Sequence, residues 1–495
     1  MRKVLVFILH LQTAWTASCM AQSISLSSVP FDDYNFANMK VIGQDTGGFF
    51  LLQSNLPMEL SRDRVGFRNR KYKIAYYNFN LAPVWNKPVE PSPEQASVET
   101  VTFAQQKILV TSAAFLKSEN ALKIYCRWIN NKGAEIKNQS AGTFHLSGND
   151  HDKLKIVVSA NQLLIGILVT DYIHENLQIQ HLIITDSSFS LIKEKSLQIP
   201  YGEKKFSTEE IALSDNGDFC LIGIRSMKID GSKRRRSEDF LMYSCTVADT
   251  SFRQHVLGDS SIEVTSASIS FDNLNSRLLC SGFYADNKTS TGAGIVYGYI
   301  EMKKPDKFHF FSTSIDNQTQ MKILGERFRG HDIGIINYPI QKLILRNDGG
   351  VVLIAEAFYS TDYSYYDYFS QSYTRSIEYH YNNIVAVSIN SDGSIHWLNV
   401  IRKNQTSTDD GGSFSSFCPV VTDKSFIMIY NSDISRSSDI ITATVSANGE
   451  QNETSAIKTS NNLLLYSRSG KQISENEVIV PCISRKKLML AKITF

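Results

Sequence analysis

The sequence lacks the motifs that would assign a reaction to it. HExxH, GxSxG, a P-loop and the Rossmann glycine fingerprint are all absent from its 495 residues, so metalloprotease, α/β-hydrolase and nucleotide-binding chemistry have no support. No CxxC pair occurs among the seven cysteines, which leaves structural zinc and thioredoxin-type chemistry without support as well. We therefore predict no metal site and no cofactor, and we assign no catalytic residue.

Charge imbalance, proline and helical periodicity are also scarce. The 51 Lys+Arg nearly balance the 49 Asp+Glu, and a nucleic-acid-binding protein needs a basic face that this balance does not provide. There are only 11 prolines and no convincing 3.6-residue apolar period, whereas 27 Phe and 22 Tyr favour strands. The composition predicts an all-β globular protein that does not bind nucleic acid.

Long apolar runs are missing except near the N-terminus. Arg2 and Lys3 precede an apolar stretch from Val4 to Trp15, and small residues follow up to Ala21. This order predicts a secretory signal peptide over residues 1–21, and the stretch is too short to span a bilayer as a helix. Lipidation of Cys19 is the alternative, because small residues precede it. The chain is thus predicted to be exported, with no transmembrane span of its own.

Six cysteines remain after the predicted cleavage. An even number in an exported chain invites disulfides, but Cys220 and Cys280 lie inside apolar, strand-like runs. Small buried side chains are common in such runs. We therefore expect these cysteines to be core residues.

One pattern recurs along the whole chain. A turn leads into an apolar strand, a loop follows, and a second strand of alternating apolar residues ends in another turn. Eight such strand pairs fill the mature chain, at about 59 residues each. The pairs are 49–53 with 73–79, 107–115 with 122–129, 162–170 with 180–184, 218–224 with 240–247, 277–282 with 295–300, 351–356 with 384–389, 426–430 with 440–445 and 478–482 with 488–493.

A unit of four antiparallel strands at such a period is a β-propeller blade. The visible pairs are interpreted as the second and third strands of each blade, because these are buried on both faces. We predict one domain over residues 22–495, an eight-bladed propeller, with a seven-bladed ring or two β-sandwiches as alternatives. The segment Ser23–Val29 alternates polar and apolar residues. It is predicted to pair with the C-terminal blade, which ends at Phe495, and so to close the ring.

Three segments resemble a known group of proteins. Asp348–Glu356, Asn383–Trp397 and Ile401–Gln405 resemble uncharacterised exported β-propeller-like proteins of Bacteroidetes-type bacteria. The resemblance implies a cell-envelope protein in the periplasm, on the outer-membrane surface or secreted, and it carries no known active site. Asn390–Trp397 is also similar to the tryptophan-bearing turns of quinoprotein propellers, but the spacing differs and no catalytic residue is transferred.

The segment Tyr359–Asn383 holds an unusual density of tyrosines. Tyrosine combines a broad apolar ring with a hydroxyl, a combination used at protein interfaces and sugar sites. The alternative is an extended hairpin whose tyrosines pair across the strands; in either case the segment is expected to protrude. The predicted binding residues are Tyr363, Tyr365, Tyr366, Tyr368, Tyr373 and Trp397.

These features predict a binding or scaffold protein whose loops meet a protein or glycan partner. The alternative is a glycan-active hydrolase or lyase with carboxylates at the propeller channel; Glu356, Glu378 and His380 are the acid–base candidates in the tyrosine segment. An enzyme of this kind needs two carboxylates about 5–10 Å apart in a polar pocket. A scaffold needs an exposed aromatic patch. A third possibility is a subunit of an outer-membrane complex.

Overall fold

The computed structural model describes most of the chain after the predicted signal peptide. The described residues are 23–31, 34–36, 38–56, 70–147, 153–173, 177–201, 206–228, 236–259, 261–286, 293–325, 337–367, 371–434, 439–452, 456–457 and 463–495. The predicted signal peptide and Cys19 lie outside them. Within these ranges the strands form eight antiparallel sheets, and the predicted all-β class is confirmed.

The first four sheets each contain four strands in chain order. Sheet 1 contains β2 Asn38–Gln44, β3 Gly48–Ser54, β4 Tyr72–Asn78 and β5 Pro83–Pro88. Sheet 2 contains β6 Ser97–Ala104, β7 Lys107–Leu116, β8 Ala121–Ile129 and β9 Glu135–His145. Sheet 3 contains β10 Lys153–Val158, β11 Leu164–Ile173, β12 Leu177–Asp186 and β13 Leu191–Pro200. Sheet 4 contains β14 Ser207–Leu213, β15 Phe219–Lys228, β16 Arg236–Cys245 and β17 Arg253–Leu257.

Sheets 5 to 7 repeat this order, and sheet 8 has the N-terminal strand β1 in the outermost position; sheets 6, 7 and 8 each contain one additional short strand. Sheet 5 contains β18 Ile262–Asp272, β19 Arg277–Asp286, β20 Ala293–Glu301 and β21 Phe308–Ser314. Sheet 6 contains β22 Ile340–Leu345, β23 Val351–Asp367, β24 Ser372–Ile389, β25 Ile395–Ile401 and β26 Gln405–Thr408. Sheet 7 contains β27 Cys418–Val421, β28 Ser425–Asn431, β29 Ile440–Ser446, β30 Gln451–Asn452 and β31 Ala456–Ile457. Sheet 8 contains β32 Leu463–Leu465, β33 Lys471–Ser474, β34 Glu477–Ser484, β35 Lys487–Thr494 and β1 Ser23–Leu26.

The eight predicted strand pairs are the second and third strands of the eight sheets. Their apolar runs are continuous because neighbouring sheets cover both faces; β3, for example, is buried at all seven positions. Tight turns lead into these strands, with Gly217 at φ 89° and Gly349 at φ 81°, a region that glycine enters without a steric penalty. The count of eight sheets agrees with eight propeller blades and not with seven.

Eight hydrophobic clusters hold the sheets together, and each cluster lies between two neighbouring sheets. The cluster between sheets 8 and 1 contains Val41 and Phe49 from sheet 1 and Ile479 and Leu490 from sheet 8. The first strands contact one another in the same order, from β2 through β6, β10, β14 and β18 to β22, while β33 contacts both β27 and β2. Each sheet therefore packs on its neighbours, and the last sheet packs on the first.

The N-terminal strand β1 pairs with the C-terminal strand β35. The antiparallel register runs from Ser23 opposite Thr494 to Leu26 opposite Ala491. Ser27 continues the contact, since its amide donates to the Leu490 carbonyl at 2.9 Å. The predicted pairing of the two chain ends is therefore present.

In the described part of the chain, one α-helix departs from the sequence-based expectation, which contained no helix. It is α1, Asn317–Leu324, in the connection between sheets 5 and 6. Asp316 caps its N-terminus by accepting from the Thr319 amide at 2.9 Å, and Gly325 ends it at φ 68°. Ile323 is buried. The helix spans two turns, which is too short for an apolar period to emerge from the sequence. Within the described part of the chain, no helix has the length and apolarity required to cross a membrane.

The two ends of the sheets differ in their connections. Turns of two to seven residues join first to second and third to fourth strands, and we name this end the tight-turn face. In an antiparallel meander the other connections lie at the opposite end, here named the loop face. The connection 402–417 lies there, as do the described parts 55–56, 70–71, 315–325 and 337–339 of two longer connections. Because loops carry recognition more often than sheet interiors do, the loop face is where a functional site is expected.

The six described cysteines are all buried and free. Burial raises the pKa of the Cys126, Cys280 and Cys418 thiols to about 12, so almost no thiolate exists at neutral pH. We expect a disulfide-forming thiol reagent to modify none of them in the native protein and all six in denaturant. Fewer than six reactive thiols after denaturation without reductant would contradict the free state of these cysteines.

Candidate functional site

The tyrosine segment belongs to the two longest strands among the described residues. β23 and β24 have 17 and 18 residues, and their register runs as far as Asp367 opposite Ser372. Val351–Glu356 pairs with Ile384–Ile389 inside sheet 6, whereas the part from Phe358 to Tyr381 continues beyond it. We name this outer part the tyrosine hairpin. The alternative of an extended hairpin is thus confirmed as its structure, and the hairpin extends the sheet on the loop face.

Four of the predicted binding tyrosines are exposed on this hairpin. The exposed fractions of Tyr363, Tyr365, Tyr366 and Tyr373 are 39%, 52%, 41% and 77%. Tyr366 and Tyr373 are direct cross-strand partners, and their ring centroids lie 5.2 Å apart in an edge-to-face arrangement. Tyr368 lies outside the described residues. The structure therefore brings four of the six predicted residues onto one projecting element.

Further contacts brace the tyrosine hairpin. β26 pairs with β24 over Glu378–Tyr381 and adds a third strand beside the hairpin. The Asp409 carboxylate, just after β26, accepts hydrogen bonds from the Ser376 hydroxyl and the Ile377 amide, both at 2.8 Å. Nearer the tip, Arg375 forms an exposed ion pair with Asp362. The hairpin is therefore held in one conformation by backbone pairing and by side chains on both of its strands.

A buried ion pair lies at the root of the hairpin. The Lys403 ammonium is 2.9 Å from a carboxylate oxygen of Glu356, and both side chains are almost completely buried. Lys403 also donates to the Tyr381 carbonyl and to the Gln405 side chain, each at 2.8 Å. Burial lowers the pKa of Lys403, and the Glu356 carboxylate acts in the opposite direction. The Ser416 hydroxyl donates to the second carboxylate oxygen of Glu356. This network joins sheet 6 to the 402–417 connection.

The acid–base candidates of the hairpin do not form one group. Glu356 is engaged by Lys403, whereas Glu378 lies 3.4 Å from Nε2 of His380. Nδ1 of His380 is 3.0 Å from the Thr406 hydroxyl, and the ring stacks on Tyr359 with centroids 4.4 Å apart. Packing and ion pairing therefore account for the positions of Glu378 and His380. They identify no water-activating or leaving-group-protonating pair.

Trp397 lies apart from the tyrosines. It lies opposite Ser388, at the other end of β24. Ser388 is 15 residues from Tyr373, which corresponds to about 50 Å along the strand. Its indole donates to the Ala447 carbonyl at 3.0 Å, and the ring packs against Gly449 in the neighbouring sheet. Trp397 therefore packs between sheets 6 and 7, and a shared binding role with the tyrosines stays a prediction.

Sequence reasoning missed a set of charged side chains on the first strands. In sheets 1, 2, 3, 4 and 6 the third residue of the first strand is charged. In sheet 5 the charged residue is the second of β18, and in sheet 8 it is the first of β33. We name this set the inner ring: Lys40, Glu99, Lys155, Glu209, Glu263, Lys342 and Lys471. In β2, β6, β14 and β22 a β-bulge lies within two residues of that position, and bulges re-aim side chains. An alignment of the eight repeats on their second strands would have revealed the inner ring in the sequence.

No protein-family model and no curated protein matches the sequence. Among solved structures, this chain is similar to the β-propeller domain of the Trilobed protease from Pyrococcus furiosus, with 9% identity, a TM-score of 0.35 and coverage of 85% of this chain and 97% of that one. It is similar to the WD40 domain of SCAP from fission yeast at 8% identity and a TM-score of 0.40, covering 96% and 94%. The polysaccharide lyase Uly1 is matched at 8% identity and a TM-score of 0.34, covering 94% and 99%. These similarities assign no activity.

Proposed function

We propose that this protein is an exported cell-envelope binding or scaffold protein. In this proposal the tyrosine hairpin contacts a protein or glycan partner in the periplasm or at the outer-membrane surface, and the protein acts as a subunit of an outer-membrane complex. The observation that carries the proposal is the group of four exposed tyrosines on one projecting hairpin.

Exposed tyrosines support a binding role on energetic grounds. Each ring offers a large contact area with only two side-chain torsions to immobilise. The edge-to-face pair of Tyr366 and Tyr373 already fixes part of that surface. By strand alternation Tyr366 and Tyr373 share one face of the hairpin and Tyr363 and Tyr365 the other, so each face offers two exposed rings. A partner would therefore gain contact area at a low entropic cost.

Rigidity of the hairpin supports the same role. The pairing of β26 with β24 and the Asp409 hydrogen bonds hold its lower half, and the Glu356–Lys403 pair fixes its root. Association costs less free energy when the binding element is ordered beforehand. A scaffold needs such an element more than it needs a deep pocket.

Ring closure is the architectural part of the proposal. The pairing of β1 with β35 and the hydrophobic cluster between sheets 8 and 1 support a propeller closed by its own chain ends. The pairing covers the outer edge of β35, which would otherwise be open to unwanted pairing. A closed ring also provides a rigid base from which the loop face projects.

A glycan-active hydrolase or lyase is the second candidate function. The observation in its favour is the pair of exposed carboxylates Glu209 and Glu263 on neighbouring first strands. Acid–base cleavage of a glycosidic bond uses two carboxyl groups on either side of the bond. Release of reducing sugar or unsaturated ends by the purified protein from envelope polysaccharide would establish this candidate in place of the scaffold.

The hairpin proposal is tested by capture from the native envelope. We expect wild-type protein to co-purify with a defined partner, and the variant Tyr366→Ser/Tyr373→Ser to retain at least tenfold less of it, because aromatic residues at interface centres carry much of the binding free energy. Mass spectrometry of the captured material is the measurement.

Leu274→Ser is the matched control for this experiment. Leu274 is 73% exposed and lies in a turn on the tight-turn face, so its replacement removes an exposed apolar side chain from the opposite end of the protein. We expect capture by this variant to equal that of the wild type. If Tyr366→Ser/Tyr373→Ser captured as much of the partner as the wild type does, the proposal would be contradicted.

A further inference from the structure

Three lysines of the inner ring are near neighbours in the fold. They are Lys342 on β22, Lys471 on β33 and Lys40 on β2, in sheets 6, 8 and 1, and all three are exposed. Lys40 is opposite the fifth residue of β3, Lys342 opposite the fourth of β23, and Lys471 opposite the third of β34. Their heights above the tight-turn face therefore agree to within about 7 Å. We name this group the cationic arc.

Contacts between their strands place the members of the cationic arc near one another. The Lys471 ammonium donates to the Ile42 carbonyl at 2.9 Å, two residues along β2 from Lys40. Gly470, next to Lys471, packs against Cys418 so closely that a Cβ added there would lie 2.8 Å from Sγ. The Cys418 thiol in turn lies within electrostatic range of Lys342. The three cations are thus carried by the first strands of sheets 6, 8 and 1, and the strand β27 of sheet 7 lies between the first two.

No carboxylate neutralises the cationic arc within the described residues, where none of the three lysines has an ion pair. Desolvation lowers the pKa of Lys471, and the like charges of Lys40 and Lys342 lower it further. Desolvation lowers the pKa of Lys342 as well. Lys471 is thus partly desolvated and repelled by two neighbouring ammonium groups, and an anion would stabilise this arrangement.

The first strands of sheets 4 and 5, which adjoin the Lys342 end of the cationic arc, have the opposite charge. Glu209 and Glu263 are exposed on β14 and β18. Lys155 lies on β10, the first strand next to β14, and its ammonium donates to the Glu209 backbone carbonyl at 3.0 Å. Ionised carboxylates only accept hydrogen bonds. A ligand that contacts both the lysines and the glutamates therefore needs oxyanions for the first group and hydroxyl donors for the second.

We infer that the cationic arc of Lys40, Lys342 and Lys471 binds the carboxylate or sulfate groups of an acidic polysaccharide. Its hydroxyl groups would donate to Glu209 and Glu263 on the adjoining first strands β14 and β18. An acidic peptide has the oxyanions but few hydroxyls, and the glutamates would repel it. The inference goes beyond the proposed function and does not depend on the tyrosine hairpin.

The test uses the full mature chain and two polymers of matched length, polygalacturonate and neutral dextran. Binding is measured by affinity electrophoresis and by calorimetry at low and at moderate salt. We expect polygalacturonate to bind and dextran not to bind, with affinity falling as salt rises, because exposed charge interactions are screened. Inorganic sulfate and polyglutamate are the competing probes.

Variants locate the site. We expect Lys40→Gln/Lys342→Gln to bind polygalacturonate roughly 25-fold more weakly, about fivefold for each ammonium removed, and Lys40→Arg/Lys342→Arg to retain most of the affinity. Lys471 is left unchanged because it also holds β2. Lys424→Gln is the matched control: Lys424 is exposed in a turn on the tight-turn face, and its loss should leave binding unchanged.

Each outcome decides the inference. Equal binding by the Lys40→Gln/Lys342→Gln variant with an unchanged unfolding midpoint would overturn it, as would absence of polygalacturonate binding. Polyglutamate binding as tight as polygalacturonate binding would replace the saccharide by an acidic peptide, and full competition by sulfate at low millimolar concentration would reduce the site to one for a free oxyanion. Tyr366→Ser/Tyr373→Ser should bind polygalacturonate normally, which separates this site from the hairpin.

Discussion

Lys403→Met is expected to lower the free energy of unfolding by about 3–5 kcal/mol, the usual cost of leaving one member of a buried ion pair without its partner. Glu356 is completely buried, and the Lys403 ammonium is 2.9 Å from its carboxylate. In the variant the Ser416 hydroxyl remains a donor to Glu356, but one neutral donor cannot replace a cation. Urea unfolding followed by tryptophan fluorescence measures the loss.

The double variant Glu356→Leu/Lys403→Met distinguishes an uncompensated charge from lost packing. Replacing both members of a buried pair by apolar residues is often neutral or stabilising, so this variant should regain at least half of the loss. It should not regain all of it, because the Tyr381 carbonyl and the Gln405 side chain lose a donor. A double variant as unstable as the single one would show that shape matters here more than charge.

Arg375→Ala is the matched control on the same element. Its ion pair with Asp362 is exposed on the tyrosine hairpin, and surface ion pairs contribute about 0–1 kcal/mol. We therefore expect its free energy of unfolding to lie within 1 kcal/mol of the wild type. A loss as large as that of Lys403→Met would mean that hairpin pairing, and not burial, determines the effect.

The sequence predicted those parts of the fold in which burial imposes a pattern. β3 and β4 show continuous apolar runs because sheets 8 and 2 cover both of their faces. The fourth strands carry no such pattern: β5 has five exposed positions out of six, and β30 and β31 divide one outer strand into two pieces of two residues. A strand that is exposed to solvent needs no regular spacing of apolar residues. The sequence therefore did not predict where these strands begin and end.

The candidate site was predictable to a similar extent. The tyrosines attracted attention by density alone, and Tyr366 opposite Tyr373 follows once the hairpin register is known. Lys403 carried no signal, because its partner Glu356 is 47 residues away and the two meet only after the 402–417 connection folds back over sheet 6. The inner ring was missed for a related reason: its members share a position in the repeat, and no sequence motif connects them.

A chain that begins at Asn38 instead of Gln22 is expected to lose roughly 4 kcal/mol of unfolding free energy. The shortened chain lacks β1, whose Ile24 and Leu26 pack against the cluster between sheets 7 and 8, and it lacks Phe31, which is buried between sheets 8 and 1. Full burial of such a side chain contributes about 1.5–3 kcal/mol, and two of the three are only half-buried. β35 would also lose its outer neighbour and become an open edge, so the shortened chain should associate at high concentration.

A covalent link between the chain ends tests the same contact in the opposite direction. Ser25 lies directly opposite Lys492 in the antiparallel register, where cross-strand Cβ atoms are about 4.5–5.5 Å apart. The disulfide formed in Ser25→Cys/Lys492→Cys should raise the unfolding midpoint, because it closes a loop of nearly the whole chain and thereby restricts the unfolded state. Val29→Ser, at a position that is 51% exposed, should leave the midpoint unchanged. If neither the truncation nor the disulfide moved the midpoint, β1 would be dispensable, and the two chain ends would not close the propeller.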